Sequence, residues 1–420
     1  MVATLNNTQV RIATIGSVDD GKSTLIGRLL HDSKGIFEDQ LSALSRASKK
    51  YGDGSFNLAL LTDGLRAERE QGITIDVAYR YFATPRRSFV LADTPGHAQF
   101  TRNMVTGASV SDIAIVLVDA RHGVVEQTRR HVSIAALLNV SHLVLAVNKM
   151  DLVDWNEDAF DAIVADVAGV LGTLGSRVAV HPIPISAVNG DNVVDPSPNM
   201  AWYGGPSVLD LLETLDVTPA AGVDAILPVQ WTNRVYGGSD YRAYAGQLQG
   251  GVLRVGDAVT VQPKGITSTV SSITVAGDFA DVAVPGDAIA VELADQIDVG
   301  RGDIIVAVGE CQPRVTTEIT ADVCWLGETD LRVGDRLVLR HLSREVTGSV
   351  TAVEGRLDLE TLKNSAADTL VLNDIARIRL SLAAPVVADL YETNRTAGSV
   401  VAIDPVSNAT VGALMIRGIQ

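Results

Sequence analysis

Residues 16–24 carry the sequence feature that most limits what this chain can fold into. They read Gly-Ser-Val-Asp-Asp-Gly-Lys-Ser-Thr, which contains the pattern G-x-x-x-x-G-K-S. An apolar run, 10–15, precedes the pattern, and a segment with leucine and isoleucine on one helical face, 22–30, follows it. A strand, a glycine-rich loop and a helix in this order predict a loop that binds the phosphates of a nucleoside triphosphate.

The residue types in this loop suit contact with phosphate. The two glycines let the backbone approach the phosphates, and successive N–H groups form an anion nest at the start of the helix. We expect Lys22 to reach the β and γ phosphates and the Ser23 hydroxyl to bind Mg²⁺. The predicted phosphate-binding residues are Gly16, Ser17, Val18, Asp19, Asp20, Gly21, Lys22, Ser23 and Thr24.

A second phosphate loop is predicted after the strand pattern at 88–92, where the sequence reads Asp-Thr-Pro-Gly-His over 93–97. Asp93 would hold Mg²⁺ through water, and the N–H group of Gly96 would donate to the γ-phosphate. The same residue types also make ordinary β-turns. The functional interpretation is favoured because a phosphate loop precedes this segment.

A third motif, N-K-x-D at 148–151, follows another apolar strand pattern at 142–147. This motif predicts selection of guanine. The Asp151 carboxylate can accept from both N1–H and N2–H₂ of guanine, whereas adenine would present an acceptor to a buried charge. The Asn148 amide can reach O6 or N7, and the aliphatic stem of Lys149 can cover the base. At Ser186 and Ala187, after the next strand pattern, a backbone N–H can donate to O6.

Strand and helix patterns alternate over residues 10–215, and 113–119 is a near-continuous apolar run typical of a strand buried on both faces. This predicts a doubly wound, mostly parallel α/β phosphate-loop GTPase domain with its ligand loops at the carboxyl ends of the strands. From 224 onward, short β-branched runs alternate with Gly, Asp and Pro, which predicts two small all-β barrels. The predicted domains are 1–220 for GTP binding, 221–310 for the first barrel and 311–420 for the second.

Leu-Arg-Val-Gly-Asp at 253–257 and Val-Pro-Gly-Asp at 284–287 are predicted hairpin turns. Leu-Arg-Val-Gly-Asp at 331–335 repeats the first of them.

Charge and cysteine content limit the class of protein further. With 34 Lys and Arg against 50 Asp and Glu, the net charge is −16, which argues against a general nucleic-acid binder. The two cysteines, Cys311 and Cys324, form no zinc-type cluster, and we expect both to act as small apolar residues in a reducing compartment. There is no 18-residue apolar run and no signal-peptide pattern, so a cytoplasmic protein without membrane association is expected.

The order of these motifs resembles that in the translational GTPases of the elongation factor Tu and 1-alpha type. Within that superfamily the chain is more similar to the GTPase (large) subunit of bacterial sulfate adenylyltransferase, the CysN type. Ser17 and Asp20 stand where the elongation-factor pattern HVDHGKT has histidines. The segments that carry the two resemblances are 68–75, 93–97, 148–151 and 202–207 for the superfamily, and 63–70, 76–82, 101–104, 373–378 and 403–410 for the CysN type.

The resemblance implies the GTP-hydrolysing subunit of a heteromeric ATP sulfurylase, which couples GTP hydrolysis to formation of adenosine 5′-phosphosulfate and pyrophosphate from ATP and sulfate. A small catalytic subunit of the CysD type, in a heterodimer or higher heteromer, would carry the adenylyl-transfer site. Some relatives carry a fused adenylylsulfate kinase, but this sequence has no second G-x-x-x-x-G-K pattern and kinase activity is not expected. An elongation-factor-like GTPase that binds aminoacyl-tRNA and a stand-alone regulatory GTPase are the alternatives.

The resemblance also implies roles for single residues. Ser23 and Thr74 would be direct Mg²⁺ ligands, and Lys22 and Gly96 would stabilise the transferring phosphoryl group. His97 matches the elongation-factor residue that positions the attacking water; the alternative is a structural histidine.

Two further implications concern the surroundings of the phosphates. Asp19 would help to bind a monovalent cation there, as in some relatives. The segment 33–74 and the loop after Asp93 would be the switches that sense the γ-phosphate.

Overall fold

The computed structural model describes residues 9–33, 74–217, 224–234, 241–309, 312–359 and 361–420. They form two compact units, one containing the described residues up to 217 and one containing those from 224 onward apart from 359–363. The predicted domain boundaries near 220 and 310, the position of Cys311 and the interior of the predicted switch 33–74 lie outside the described residues. Cys324 is buried.

The first unit is built on a six-stranded sheet in which only β2 and β3 are antiparallel to each other. The sheet order is β2-β3-β1-β4-β5-β6, so the predicted mostly parallel, doubly wound architecture is confirmed. Its strands are β1 (Gln9–Ile15), β2 (Ala78–Ala83), β3 (Ser88–Asp93), β4 (Ile113–Asp119), β5 (His142–Asn148) and β6 (Ala179–Pro184).

Five α-helices are described in this unit. Side chains cap two of them: Asn156 accepts from the Ala159 N–H before α4, and Ser207 accepts from the Asp210 N–H before α5. In the described structure, α1 instead starts after Gly21 with no side-chain cap. The helices are α1 (Lys22–Asp32), α2 (Thr101–Ser109), α3 (Glu126–Leu137), α4 (Glu157–Thr173) and α5 (Val208–Thr214).

The parallel strands bring polar residues to one edge of the sheet. Every residue of β4 is buried, as its apolar sequence requires for a strand covered on both faces. Asp93 ends β3, Asp119 ends β4 and Asn148 ends β5, and Asp119 lies directly beside Asn148 in the strand register. The carboxyl edge therefore gathers the predicted site residues Asp93 and Asn148 together with Asp119.

The second unit contains two antiparallel barrels. In the first, the strand path is β7-β16-β11-β12-β15-β9-β8, and Ile226 and Gln249 exchange two backbone hydrogen bonds of 2.9 and 2.8 Å that return the sheet to its start. Its strands are β7 (Ile226–Pro228), β8 (Trp231–Arg234), β9 (Arg242–Gln247), β10 (Leu253–Arg254), β11 (Ala258–Gln262), β12 (Ile266–Val275), β13 (Asp278–Ala280), β14 (Val282–Ala283), β15 (Ala288–Leu293) and β16 (Ile304–Ala307).

The second barrel closes through strand pairs alone. Its path β19-β24-β25-β17-β23-β20 returns from β20 to β19, which gives a ring of six strands around a core of aliphatic side chains. Its strands are β17 (Arg314–Trp325), β18 (Leu331–Arg332), β19 (Arg336–His341), β20 (Arg344–Leu357), β21 (Asn364–Ser365), β22 (Thr369–Leu370), β23 (Ile375–Ala388), β24 (Ser399–Ile403) and β25 (Thr410–Ile419).

The three segments predicted as hairpin turns do form turns, but the strands on either side of each turn are not paired with each other. Leu253–Arg254 pairs with Val282–Ala283, and not with the strand that follows it, so the turn at 254–257 connects strands that are not partners. The prediction was wrong in this respect because two-residue strands such as β10 and β14 have no periodicity that a sequence could reveal.

These turns share one construction, which we call the aspartate-capped turn. The third residue has positive φ, and the carboxylate of the fourth, an aspartate, accepts from the N–H of the first. Glycine or asparagine stands at the third position in the barrels because positive φ is costly for other residues. The barrel examples are 254–257, 284–287, 300–303, 332–335 and 371–374.

Within the described ranges, no helix is both long and apolar enough to cross a membrane.

Candidate nucleotide-binding site

The phosphate loop between β1 and α1 is itself an aspartate-capped turn. Its residues 17–20 place Asp19 at φ 68°, and the Ser17 N–H donates to Asp20 Oδ2 at 2.6 Å. Gly21 follows at φ 96°, where a Cβ atom would collide with Asn148 Nδ2. The loop therefore has a fixed internal shape and ends at an α1 terminus with no side-chain cap, whose first N–H groups are able to bind an anion.

Lys22 is folded back over this loop. Its Nζ donates to Gly16 O at 2.9 Å and to Ser17 O at 2.8 Å, and the side chain is 7% exposed. Burial lowers the pKa of Lys22, while the carboxylates of Asp93, Asp20 and Asp19 act in the opposite direction. An ammonium group has three donors, so with two on loop carbonyls the third can meet a phosphate oxygen.

Gly96 brings the second predicted loop against the first. A Cβ atom at this position would lie 2.5 Å from both Gly16 O and Lys22 Nζ, so only glycine fits. Asp93, at the start of the same loop, is 1% exposed and interacts electrostatically with Lys22.

His97 follows Gly96 and is exposed. Its Nδ1 accepts from the Gln99 N–H at 3.4 Å, and its ring centroid lies 6.2 Å from that of Phe100 in an edge-on arrangement. The imidazole is thus beside the phosphate loops and accessible to water.

Two residues of α3, Gln127 and His131, form a hydrogen-bonded chain to the Gly96 loop. Gln127 Nε2 donates to Gly96 O at 3.4 Å and lies 2.8 Å from His131 Nε2. An amide nitrogen only donates, so His131 Nε2 accepts and the imidazole is neutral. Burial, reinforced by the positive charges of Lys22 and Arg130, lowers the pKa of His131 to about 3, in agreement with this assignment.

Asn148 connects three loops through one amide. Its Nδ2 donates to Asp20 O at 2.7 Å, and its Oδ1 accepts from the Ala187 N–H at 3.0 Å. The phosphate loop, the N-K-x-D segment and the Ser186–Ala187 segment are therefore tied together. The second N–H of Asn148 and the second lone pair of its oxygen are the groups that can turn to a base.

The backbone N–H groups predicted to contact O6 already donate within the protein. The Ser186 N–H donates to Asp191 O at 3.2 Å and the Ala187 N–H to Asn148. A base oxygen in this position would exchange with the Asn148 oxygen for the Ala187 N–H. Asp151 is half-buried in the 3₁₀ turn Met150–Val153, three residues after Asn148.

Lys149 forms a second connection to the phosphate loop. Its Nζ donates to Asp19 O and, at 2.8 Å, to Asp119 Oδ2, while Arg121 holds the same carboxylate through Nε and Nη2 at 3.0 and 2.7 Å. Burial opposes the charge of Asp119, but the hydrogen bonds from Arg121 and Lys149 outweigh it and hold the pKa well below the usual range. Asp119 thus helps to hold the Lys149 ammonium beside the phosphate loop.

The residues present fit Mg²⁺ bound together with phosphate. Ser23 and Thr74 are half-buried hydroxyls and Asp93 is a buried carboxylate, which are hard oxygen donors of the type that Mg²⁺ prefers. Among the described residues no group of three or more His, Cys, Asp and Glu could hold a metal alone, so such a site needs ligands from the phosphates. Asp19, the predicted helper of a monovalent cation, has its backbone carbonyl turned toward the Lys149 ammonium.

Comparison with known proteins identifies the family. The model of the elongation factor Tu GTP binding domain matches residues 7–220, and that of the GTP-eEF1A C-terminal domain-like family matches residues 318–417. Sulfate adenylyltransferase subunit 1 of Laribacter hongkongensis is 47% identical over 417 residues, which cover 98% of this chain and 85% of that protein. The chain belongs to the sulfate adenylyltransferase subunit 1 family.

Two further relatives carry related names. Sulfate adenylyltransferase subunit 1 of Aliarcobacter butzleri is 48% identical, over 98% of this chain and 88% of that protein. The bifunctional enzyme CysN/CysC of Mycobacterium tuberculosis is 49% identical, over 97% of this chain and 67% of that protein. A crystal structure of sup35 complexed with GMPPNP has a TM-score of 0.45 and 23% identity, covering 100% of this chain and 96% of that one.

In this member of the subunit 1 family, the sequence motifs did not point to Asp119, Gln127 or His131. Asp119 could have been found, since it ends an apolar strand beside Asn148 in the same way that Asp93 ends β3. Gln127 and His131 are four residues apart on one face of α3, but nothing in their sequence context distinguishes them from other polar helix residues.

Proposed function

We propose that this chain is the GTP-hydrolysing subunit of a heteromeric sulfate adenylyltransferase. It would couple GTP hydrolysis to formation of adenosine 5′-phosphosulfate and pyrophosphate from ATP and sulfate, with the adenylyl-transfer site on a small catalytic subunit of the CysD type. The single observation that carries the proposal is the near full-length similarity to proteins named sulfate adenylyltransferase subunit 1. The phosphate-sulfate anhydride is a high-energy bond whose formation from ATP alone is uphill, which gives the coupled hydrolysis its purpose.

The phosphate half of the site would act mainly through position and charge. Gly16 to Thr24 would surround the phosphates with backbone N–H groups, and Lys22 would place its remaining N–H on the transferring phosphoryl group. The Gly96 N–H would approach the γ-phosphate, which the tight contact of Gly96 with Gly16 and Lys22 supports. Exposed His97 would orient the attacking water.

Ser23, Thr74 and, through water, Asp93 would hold Mg²⁺. The ion supplies neutralisation of the charge that develops on the phosphate oxygens.

The guanine half would use Asp151 for N1–H and N2–H₂, with Asn148, Lys149, Ser186 and Ala187 around the remaining edge and face of the base. The Asn148 amide and the Lys149 ammonium tie this half to the phosphate loop. Base recognition and phosphate binding would therefore share one framework.

One hydrolysis assay tests the proposed function. GTP turnover is measured for the full chain alone, with the small catalytic subunit, and with that subunit plus ATP and sulfate. Turnover should rise with the complete set, and adenosine 5′-phosphosulfate should form in step with phosphate release. Turnover that ignores the subunit and its substrates would contradict the proposal.

A base-exchange variant tests the site itself. Asp151→Asn replaces an acceptor by an amide that can donate to the C2 oxygen of xanthine, so preference should move from GTP toward XTP by about tenfold or more. Asp154→Asn, three residues further along, serves as the matched control and should keep the preference for GTP. Unchanged base preference in Asp151→Asn would remove this residue from the base-binding role.

A further inference from the structure

We propose that Asp20 is a positioning residue of the nucleotide site: its carboxylate fixes the shape of the phosphate loop, and its backbone carbonyl joins that loop to the guanine-binding segment. The inference deepens the proposed function and rests on guanine-nucleotide binding by this chain.

The first observation is the recurrence of one turn. Five turns of the barrels share one construction with the phosphate loop: the third residue has positive φ, and the aspartate carboxylate accepts from the N–H of the first. The corresponding N–O distance is 2.6 Å in the loop and between 2.7 and 2.9 Å in the barrels. Where the barrels use this turn to change the direction of a strand, the nucleotide site uses it to shape a ligand loop.

The second observation is the place of Asp20. The residue is only 8% exposed, and while its Oδ2 binds the Ser17 N–H, its backbone O accepts from Asn148 Nδ2 at 2.7 Å. Asn148 in turn accepts from the Ala187 N–H. A change in the turn at Asp20 is therefore transmitted to both the phosphate loop and the base-binding segments.

The charge of Asp20 makes a geometric role the better explanation. Burial raises the pKa of Asp20, and the Ser17 N–H and Lys22 act against that rise. A carboxylate beside bound phosphate repels it, so Asp20 gains no affinity through its own charge. What the side chain offers is an oxygen in a fixed position, which an amide oxygen of the same shape can also offer.

Three full-length variants test the inference: Asp20→Ala, Asp20→Asn and, as a matched control, Asp335→Ala, which removes the carboxylate of the same turn in the second barrel. Dissociation constants for fluorescent GDP and a fluorescent non-hydrolysable GTP analogue are measured together with the melting temperature of the nucleotide-free protein. Asp20→Ala should weaken the binding of both nucleotides equally and by about tenfold or more, because it leaves the Ser17 N–H without its acceptor. Asp20→Asn should stay within about threefold of wild type, and Asp335→Ala should lower the melting temperature without changing either constant.

Wild-type affinity in Asp20→Ala would overturn the inference about Asp20 and leave the proposed function standing. A loss of affinity confined to the GTP analogue would do the same, since the turn shapes a loop that contacts both nucleotides. Asp20→Asn as weak as Asp20→Ala would also overturn it, because charge and not position would then matter. A wild-type protein that binds neither nucleotide would overturn the proposed function and this inference together.

Discussion

At the level of single residues, Asp119 decides where Lys149 lies. It is almost fully buried and accepts from Lys149 and Arg121, and it makes no predicted contact with a ligand of its own. Asp119→Ala should leave Lys149 with the Asp19 carbonyl as its remaining described partner and weaken guanine-nucleotide binding by roughly tenfold, the effect of about one charged hydrogen bond. Titration with fluorescent GDP measures this.

Asp112→Ala is the control for that variant. Asp112 accepts from the Arg11 N–H at 2.9 Å just before β4, at the opposite edge of the same sheet. Its loss should reduce stability and leave nucleotide affinity unchanged. If both variants bind nucleotide equally well, Asp119 has no positioning role.

Gly96 is the residue at which added volume should matter most. In Gly96→Ala the new methyl group must displace Gly16 O or Lys22 Nζ, so the two phosphate loops separate. GTP hydrolysis should fall by about tenfold or more, the loss on removing one preorganised donor, with GDP affinity less affected. Gly169→Ala, on α4 with no atom within 4 Å of the new methyl, is the control and should turn over GTP at the wild-type rate. Normal hydrolysis by Gly96→Ala would show that the close contact is not needed.

At the level of elements, a pair of imidazoles joins β5 to β6 away from the nucleotide edge. His142 Nε2 donates to Asp216 O at 2.8 Å, so its Nδ1 accepts from His181 Nε2 at 3.2 Å. Burial, and then the neighbouring His142, lower the pKa of His181. The folded state therefore holds His181 neutral, and protons bind more readily to the unfolded chain.

It follows that His181 contributes stability above its unfolded pKa of about 6.5 and that this contribution is lost as pH falls below that value. His181→Gln keeps a donor for His142 and cannot titrate, so its free energy of unfolding should fall less steeply than that of wild type as pH is lowered from 7 toward 5. Denaturant unfolding at several pH values gives the comparison. Parallel pH profiles for the two proteins would exclude the imidazole pair as a source of acid sensitivity.

The helices and strands of the first unit could largely be predicted because each is long enough to show the periodic spacing of apolar residues typical of its type. The predicted helix at 22–30 is Lys22–Asp32, and the predicted strand at 113–119 is Ile113–Asp119. In the barrels, where the sequence predicts short runs, one strand, Ile375–Ala388, extends over 14 residues. A barrel strand bends and continues past its apolar stretch, so its length depends on partners distant in sequence.

The site residues at the ends of strands could be predicted from the sequence, whereas the hydrogen bonds that connect separate loops could not. Asp93 and Asn148 follow apolar strands, and the topology of a parallel sheet places such residues together. The bonds from Asn148 to Asp20 and Ala187 connect residues 128 and 39 positions apart. Contacts of this kind arise from packing and leave no pattern in the sequence.

At the level of the whole molecule, the two compact units should respond differently to nucleotide. A ligand at 100 times its dissociation constant adds about 2.7 kcal/mol to the stability of the unit that binds it, which for a unit of this size corresponds to a rise of roughly 5–10 °C. We expect calorimetry to show two transitions, of which GDP raises only the one that belongs to the first unit.

A variant of the second barrel should shift the unfolding transition of the second unit instead. A Cβ atom at Gly398 would collide with the backbone of Tyr391, so Gly398→Ala should lower the transition that GDP leaves unchanged. A single transition that moves as a whole with both GDP and this variant would show that the units unfold together.

The hydrogen-bonded ring of the second barrel restricts how another protein can recognise it. Each of the strands β17, β19, β20, β23, β24 and β25 has a partner on both sides, so an incoming peptide finds no vacant backbone edge along the ring to extend. A subunit that docks on these strands must therefore read side chains, and its specificity depends on residues that substitution can change without disturbing the ring.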